Sequence, residues 1–578
     1  MMELKYSELL KLNKELGNNL KSNPIKISVL SNIIVHQSKE LLEYFLRIEC
    51  INAIVKYGDY DNLAQDSEKY QDSNVVIIFW ELCNVIDGFH YNIELNNKEQ
   101  INRILENTKA KIDLVLKNLK ETSLILFNKF SSLHFWNSNI KSNNLEELVD
   151  QLNHYLEQIT PINVKLVDLD KVIASIGLDN SIDLRYYYSS KALYTVDFFK
   201  RYSYHVKPYI MSVCGKSKKA LIFDCDNTLW KGILGEDGFE NIEMSPKTKE
   251  GAIYSEIQSL ALALNNQGTL IGLCSKNNPD DVDKVIESHP DMQLKNKHIT
   301  INKSNWSDKV TNLKEIAQEL NIGLDSIVFV DDSSFEVNLI KKHLPEVKVL
   351  QVPEKLYEYP KMLRENHDLF YDLSFTAEDK NKIKMYRQQI KRLNIKKEFI
   401  DIDDYLASLH LKITIYKNDK NIVPRMSQMS QKTNQFNLTT KRYSERDIKN
   451  FFDDSNTILY AFSVADKFGD SGITGLCIVT KDNKTKTANI DTFLMSCRVI
   501  GRKIEYTFMD YLIDNLKNMN IRTLKAKYIK TKKNEQVKEF YDDCLFDQIN
   551  ENELIKKYSL KIENYKSKDL NYIEVINE

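Results

Sequence analysis

Three times between residues 220 and 332 a short apolar run breaks directly into a cluster of polar residues. Ala220–Phe223 runs into Asp224-Cys225-Asp226-Asn227-Thr228, Thr269–Cys274 into Ser275-Lys276-Asn277-Asn278, and Ser326–Val330 into Asp331-Asp332. Helical patterns separate these runs. One covers Lys249–Asn266, and one opens at Pro279, whose fixed φ and missing N–H suit a first helical turn. Another carries Val310, Leu313, Ile316, Ala317 and Leu320 at helical spacing, with Ser307 as its cap and Gly323 at its close. Strand–helix alternation of this kind folds as a parallel sheet with right-handed crossovers. Each polar cluster then lies past the carboxyl end of a strand, where open α/β sheets bind ligands.

The residue types at those strand ends specify a chemistry. Asp224, Asp226, Asp331 and Asp332 on neighbouring strands would raise one another's pKa values unless a cation sat between them. A hard divalent ion with oxygen ligands, Mg²⁺, is expected, with a substrate phosphate completing its shell. Thr228, Ser275, Lys276 and Asn277 stand at the same ends as candidate phosphate-binding residues. Lys309, at the start of its helix, can spread positive charge over a phosphoryl group in the transition state.

The remainder of the 578 residues divides around this centre. Residues 1–215 mix helical stretches with strand-like runs at Ile25–Leu30, Ile51–Val55 and Val75–Phe79, the last apolar enough to be buried on both faces. No catalytic triad stands out there. His134, beside Phe135 and Trp136, is read as a packed histidine, and the region as scaffold or docking. Residues 216–375 form the parallel-sheet domain. Residues 376–578 open with a charged helix and continue as a mixed α/β domain of antiparallel strands and two or three helices. Overall the chain is expected to be multidomain α/β.

Charge excludes one function class. Lys+Arg of 80 against Asp+Glu of 82 leaves −2, without the basic excess of a nucleic-acid binder. The longest apolar run, Val75–Ile86, is interrupted by Glu81 and too short to span a bilayer. The eight cysteines never form a CxxC pair, so neither a zinc site nor a disulfide framework is read, and a cytoplasmic protein is expected.

Asp-x-Asp, Leu273-Cys274-Ser275-Lys276-Asn277, Lys309 and Phe329-Val330-Asp331-Asp332, in that order over ~110 residues, resemble the four motifs of the haloacid dehalogenase superfamily of phosphotransferases. The resemblance implies Asp224 as nucleophile, Asp226 as acid/base and backbone-carbonyl ligand, and Asp331 and Asp332 as Mg²⁺ ligands. Leu221–Gly238 and Asn302–Ile322 are similar to stretches of the FkbH-like glyceryl-transferring branch. So are Gln431–Tyr443, Asp466–Gly475 and Met495–Glu505. That family implies transfer of a glyceryl unit from 1,3-bisphosphoglycerate, with dephosphorylation, to the phosphopantetheine thiol of an acyl carrier protein, and an SGNH-like first domain. Lys231 departs from the expected Trp-Gly-Gly. The alternative is a phosphatase acting on a small phosphorylated metabolite without acyl transfer.

Acyl transfer to a thiol suggests a thioester on an enzyme cysteine, favoured where positive charge lowers the thiol pKa. Cys497, followed by Arg498, Arg502 and Lys503 where a strand hands over to a helix, stands ahead of Cys225, which lies between two aspartates. Cys274 reads as core. Arg498–Lys503 also looks like the pyrophosphate loop of the acetyltransferase (GNAT) fold, with Arg498 and Gly501 in the binding positions and helix amides as the phosphate donors. Lys532-Lys533-Asn534 and Phe540-Tyr541 resemble that fold's closing elements, Tyr541 being a candidate acid or a structural tyrosine. Gln431, Thr433, Asn434, Gln435 and Asn437 read as a hydrogen-bonded turn or as donors to the glyceryl hydroxyls. Asp466 with Gly469, Asp470, Ser471 and Gly472 reads as a hairpin.

Overall fold

The computed structural model describes residues 4–20, 24–85, 88–135, 143–161, 163–371, 382–396, 399–531 and 533–577. Trp136 and Lys532, and the expected domain boundary near 375, lie outside them. The chain forms two compact units, Met1–Cys214 and Gly215–Glu578.

In the first unit five strands, β1 (Ile25–Ser31), β2 (Ala53–Tyr57), β3 (Val75–Phe79), β4 (Leu124–Asn128) and β5 (Val164–Val167), form a parallel sheet in the order β2-β1-β3-β4-β5. Every residue of β3 and β4 is buried, which is why Val75–Phe79 is apolar without alternation. The helix Val196–Val213 follows Tyr194, whose ring stacks on Phe198 at 3.8 Å.

The second unit holds two sheets. Strands β6 (Ala220–Phe223), β7 (Leu270–Ser275), β8 (Ile299–Ser304), β9 (Ile327–Asp331) and β10 (Lys348–Gln351) form a parallel sheet in the order β10-β9-β6-β7-β8. Alternation along β6 sends Leu221 and Phe223 into one apolar layer and Ala220 and Ile222 into the other, as a strand with helices on both faces requires. Two helix-end assignments differ from the sequence expectation. Asp308, not Ser307, caps the helix Lys309–Glu319, accepting from Thr311 N–H at 2.8 Å. An aspartate at the cap competes better for that amide because it carries charge. Asn321, at φ +51, and not Gly323 takes the left-handed position after that helix.

The second sheet comprises β11 (Leu411–Lys417), β12 (Phe436–Asn437), β13 (Thr457–Asp466), β14 (Gly469–Asp482), β15 (Thr487–Met495), β16 (Thr523–Ile529), β17 (Asp547–Glu551), β18 (Ile555–Lys561) and β19 (Ile573–Asn577). The order is β17-β18-β16-β15-β14-β13-β11-β19, and β13, β14 and β15 pair antiparallel. β15 and β16 are parallel but pair only over Thr487–Asn489 with Thr523–Lys525 and then diverge. The chain itself fills the fork. Phe436 and Asn437 pair antiparallel with Met495 and Leu494, Leu438 N–H donates to Phe493 O at 3.1 Å, and Ile529 N–H donates to Leu438 O at 2.8 Å.

Polar contacts tie the two sheets at the amino-terminal ends of the parallel strands. Lys218 Nζ, before β6, donates to Asp325 O at 2.6 Å, and the Asp325 carboxylate pairs with Lys533. Arg387 donates to Asn296 O and Ile299 O, where β8 begins. Asn321 Nδ2, beyond the end of the helix Lys309–Glu319, donates to Cys497 O.

The β13–β14 hairpin is the turn expected at Asp466, with Asp466 opposite Gly469. Its aspartate does more than turn the chain. The Asp466 side chain is fully buried and accepts from Arg392 Nε at 2.7 Å and Nη2 at 2.8 Å, and from Arg502 Nη1 at 3.1 Å. One carboxylate thus pairs with two buried guanidinium groups drawn from the helix Lys382–Lys396 and the loop after β15. Removing one member of such a group leaves an uncompensated buried charge. Asp466→Ala is expected to lower the stability of the second unit by about 3–5 kcal/mol, read as a lower urea midpoint; a shift within error would show that the arginines find other partners.

Candidate active site

Parallel register places Phe223 beside Val330, so the next residues, Asp224 and Asp331, emerge side by side. Asp224 N–H donates to Val330 O at 2.9 Å, which holds the start of the loop in line with the strand. Asp224, Asp331 and Asp332 bring carboxylate oxygens within 4.8 Å of one another. Lys309 Nζ enters from its helix, 3.1 Å from Asp224 Oδ1 and 2.6 Å from Asp331 Oδ2. Burial pushes the Asp224 carboxyl up to about 6 against the pull of Lys309, and raises those of Asp331 and Asp332. Burial works against the Lys309 charge, but Asp224 and Asp331 hold the ammonium above its ordinary value.

Three carboxylates and one ammonium leave two negative charges concentrated among hard oxygen donors. That donor set fits a divalent cation of the Mg²⁺ type, for which Asp224, Asp331 and Asp332 supply the side-chain ligands. Thr228 Oγ1 is buried without a hydrogen-bond partner in the same loop, as a donor awaiting a phosphate oxygen would be.

Asp226 stands apart from this carboxylate group. Its Oδ1 accepts from Trp230 Nε1 and Leu234 N–H, both at 3.0 Å, and its Oδ2 from Asn277 Nδ2 at 2.9 Å. The expectation of four converging carboxylates is therefore corrected to three, because local donors hold the Asp226 side chain back. Asn277 also donates to Ser275 Oγ at 3.1 Å, which links the first two polar clusters. Lys276 is tied to Glu336 at 2.7 Å on the helix Ser334–His343. Lys231, the departure at the mouth, is neutralised by Glu250 at 2.6 Å and Glu243 at 3.7 Å.

Cys225 is fully buried, and burial followed by the charge of Asp224 pushes its thiol far up. Cys274 is buried in β7. Cys497 is half-buried in a turn, Cys497–Val499, between β15 and the helix Ile504–Asn518. Two of the cations expected around it are engaged elsewhere: Arg502 is buried against Asp466 and Lys503 pairs with Asp403 at 2.5 Å, whereas Arg498 stays beside the cysteine, donating to Ser496 Oγ at 3.2 Å. Gly501, at φ +80, faces open space. Tyr541 is buried in the apolar core with its hydroxyl unpartnered. Of the polar segment, Asn437 Oδ1 accepts from Thr440 N–H at 2.8 Å, as a turn residue does, and Gln435 Oε1 is buried without a partner.

Sequence patterning missed a buried chain of polar groups in the first unit. Tyr194 OH lies 2.7 Å from Glu81 Oε1 and 2.9 Å from His134 Nε2, beside a cavity lined by Glu81, Cys83, His90, Ser131 and His134. His134 is thus packed, as expected, but within a network. Its other ring nitrogen bonds the Ser131 backbone. Tyr194 OH donates to Glu81 Oε1 and so joins that carboxyl to the imidazole. Burial pushes Glu81 up to about 7 and His134 down to about 4.

No family model and no curated protein matches the chain. Among solved structures it is similar to the N-terminal part of the protein BF1531 from Bacteroides fragilis, which contains a phosphatase domain and was crystallised with Mg. The identity is 25%, the TM-score 0.57, and the match covers 64% of this chain and 100% of that one. The ribosomal-protein-S18-alanine N-acetyltransferase from Escherichia coli matches 26% of this chain and 94% of its own at 13% identity and TM-score 0.21. A spermidine/spermine N-acetyltransferase from Vibrio cholerae matches 26% and 95%, at 12% and 0.21.

Two outcomes are expected. Mg²⁺ should raise the melting temperature of metal-free protein, the gain corresponding to about 2.7 kcal/mol at a hundredfold excess over Kd, and Asp331→Asn should abolish most of that gain. In the first unit, a carboxyl raised from 4.5 to about 7 stabilises the fold below 4.5 and loses that contribution as pH rises to about 7. His134, lowered from 6.5 to about 4, contributes fully above 6.5 and loses its contribution as pH falls toward 4. Glu81→Gln should therefore remove the fall in stability on approaching pH 7 while keeping the loss toward pH 4, measured by denaturation midpoint against pH.

Proposed function

We propose that this chain is an enzyme of the FkbH-like kind, which takes a glyceryl unit from 1,3-bisphosphoglycerate, removes its phosphate and passes the unit through a cysteine thioester to the pantetheine thiol of an acyl carrier protein. The observation that carries the phosphatase half is the Lys309-bridged group of Asp224, Asp331 and Asp332 beside an unpartnered Thr228 hydroxyl. The likeness to a phosphatase domain crystallised with Mg supports it.

Bound Mg²⁺ supplies charge neutralisation for the approaching phosphoryl group. The Asp224 carboxylate attacks phosphorus, forming an aspartyl phosphate as the bond to the substrate oxygen breaks. The Asp226 carboxyl, oriented by Trp230 and Asn277, gives its proton to the leaving oxygen and takes one from the water that hydrolyses the intermediate. Lys309 keeps Asp224 ionised and placed, and holds charge next to the transferring group. Ser275, joined to Asn277, and Thr228 donate to phosphate oxygens.

In the acyl half the Cys497 thiolate attacks the acyl-phosphate carbonyl. The carbon–sulfur bond forms, the carbon–oxygen bond breaks, and inorganic phosphate leaves with the electron pair. The pantetheine thiolate then displaces Cys497, which regains its proton. Arg498 and Gly501 line the loop that meets the arm. Support for Cys497 over Cys225 is its partial exposure, since a fully buried thiol is not available to a carrier.

Release of the C3 ester phosphate of 1,3-bisphosphoglycerate with Mg²⁺, counted apart from the acyl phosphate, tests the first half. Asp224→Asn should lower it at least about a thousandfold, and Asp226→Asn by about 10²–10⁴. Peptide masses of wild type, Cys497→Ala and Cys225→Ala test the second. An acyl adduct lost only in Cys497→Ala is expected. Phosphate release with no adduct on any cysteine would leave the phosphatase alone.

A further inference from the structure

Thr228 carries a free hydroxyl on a backbone that is held from both sides. Its Oγ1 is buried without a hydrogen-bond partner among the described residues. Its N–H donates to Cys225 O at 3.2 Å, so the turn after β6 closes on itself. Three successive carbonyls of that turn accept from side chains. Asn227 O takes Tyr254 OH at 3.5 Å, Thr228 O takes Tyr359 OH at 3.2 Å, and Leu229 O takes Gln258 Nε2 at 2.9 Å.

The donors come from two helices distant in the chain. Tyr254 and Gln258 stand four residues apart on the helix Gly251–Asn266, hence on one face. Tyr359 opens the helix Tyr359–Glu365, beyond β10 and 131 positions from Thr228. All three side chains are buried. A buried phenol needs an acceptor, and the one Tyr359 takes belongs to the site loop. The amide of Gln258 is fixed in turn, because its Oε1 accepts from Gln293 N–H at 2.7 Å.

A peptide group is planar, so the direction of a side chain is set by the two planes that flank its Cα. Tyr254 holds the plane before Thr228, and Tyr359 holds the plane after it. Fixing both planes fixes φ and ψ of Thr228, and with them the Cα–Cβ bond that carries the hydroxyl. Asn227, at φ +50, lies in the left-handed region, a conformation that persists where the surroundings over-determine it. A buried carbonyl that loses its donor is costly, which favours rotation of its plane toward another partner.

Resting on the reading of Thr228 as a phosphate donor, we propose that Tyr359, together with Tyr254, is a positioning residue of the phosphate loop. Its hydroxyl aims Thr228 Oγ1 at the phosphate oxygen. It acts through Thr228, whereas the metal-binding carboxylates Asp224, Asp331 and Asp332 are placed by their strands and by Lys309.

Inorganic phosphate is titrated by calorimetry into full-length enzyme saturated with Mg²⁺. Thr228→Val should weaken its binding about tenfold, the loss of one hydrogen bond to a charged group. Tyr359→Phe, which deletes one oxygen and keeps the ring, should weaken it by a similar factor. The double variant should bind no more weakly than Thr228→Val alone, since two residues that act through one hydroxyl do not add. The rise in melting temperature on adding Mg²⁺ should be the same in Tyr359→Phe as in wild type. Tyr254→Phe frees the other plane and should show the same non-additivity with Thr228→Val, which keeps the test open if Tyr359→Phe does not fold. Losses that multiply in the double variants overturn the positioning role. So does a Tyr359→Phe enzyme that binds phosphate as wild type does, or one that has lost its response to Mg²⁺ as well. Wild type that binds no phosphate in the presence of Mg²⁺ would overturn the phosphate-site reading itself, and the positioning role with it.

Discussion

The register between β6 and β9 is the constraint on which the second unit turns. Once Phe223 is paired with Val330, two aspartates leave adjacent parallel strands together. Left alone they would repel and resist ionisation in a site from which water is largely excluded. Lys309 answers part of that cost, and its position follows from the Asp308 cap that starts its helix. What remains is a net negative pocket at the C-terminal edge of the sheet. A cation-assisted site is thus a consequence of strand pairing before it is a consequence of any substrate.

The C-terminal sheet is organised by charge as well, but in the opposite sense. Around Asp466 a single anion gathers two arginines, and their burial pushes Arg502 down to about 10. The loop after β15 spends Arg502 on architecture, so the positive field around Cys497 is weaker than the run Cys497-Arg498…Arg502-Lys503 suggests. For the proposed reaction at that thiol, the amides of the turn would have to contribute more than resident cations.

Much of this was legible in the chain. The parallel sheet could be read because its strands are buried on both faces and end abruptly in Asp-x-Asp, Ser-Lys-Asn and Asp-Asp. The neighbourhood of Asp224, Asp331 and Lys309 follows from that topology with little else. Other features depended on partners too distant for any periodic pattern. Arg392 and Asp466 meet across 74 positions, and Glu81 meets Tyr194 across 113. Asp226 resembles Asp224 in sequence, yet Trp230 and Leu234 claim its carboxylate, which only the path of the turn decides. Lys276 stands in a phosphate-binding run, but Glu336 one helix away takes its ammonium. The single Glu81 that interrupts the apolar run after β3 was the signal for the network in the first unit, since a lone acid at such a place has to find a donor.

The fork between β15 and β16 carries a different implication. An extended ligand with amide groups would find hydrogen-bonding backbone at that opening, but Phe436–Leu438 already occupies it and is covalently joined to the sheet at both ends. A tethered segment of this sort competes at an effective concentration on the order of millimolar or above. Any guest that pairs with β15 in its place binds only the fraction of molecules in which the segment has withdrawn, and its apparent affinity falls by that fraction. A free small molecule competes with that segment by its concentration alone.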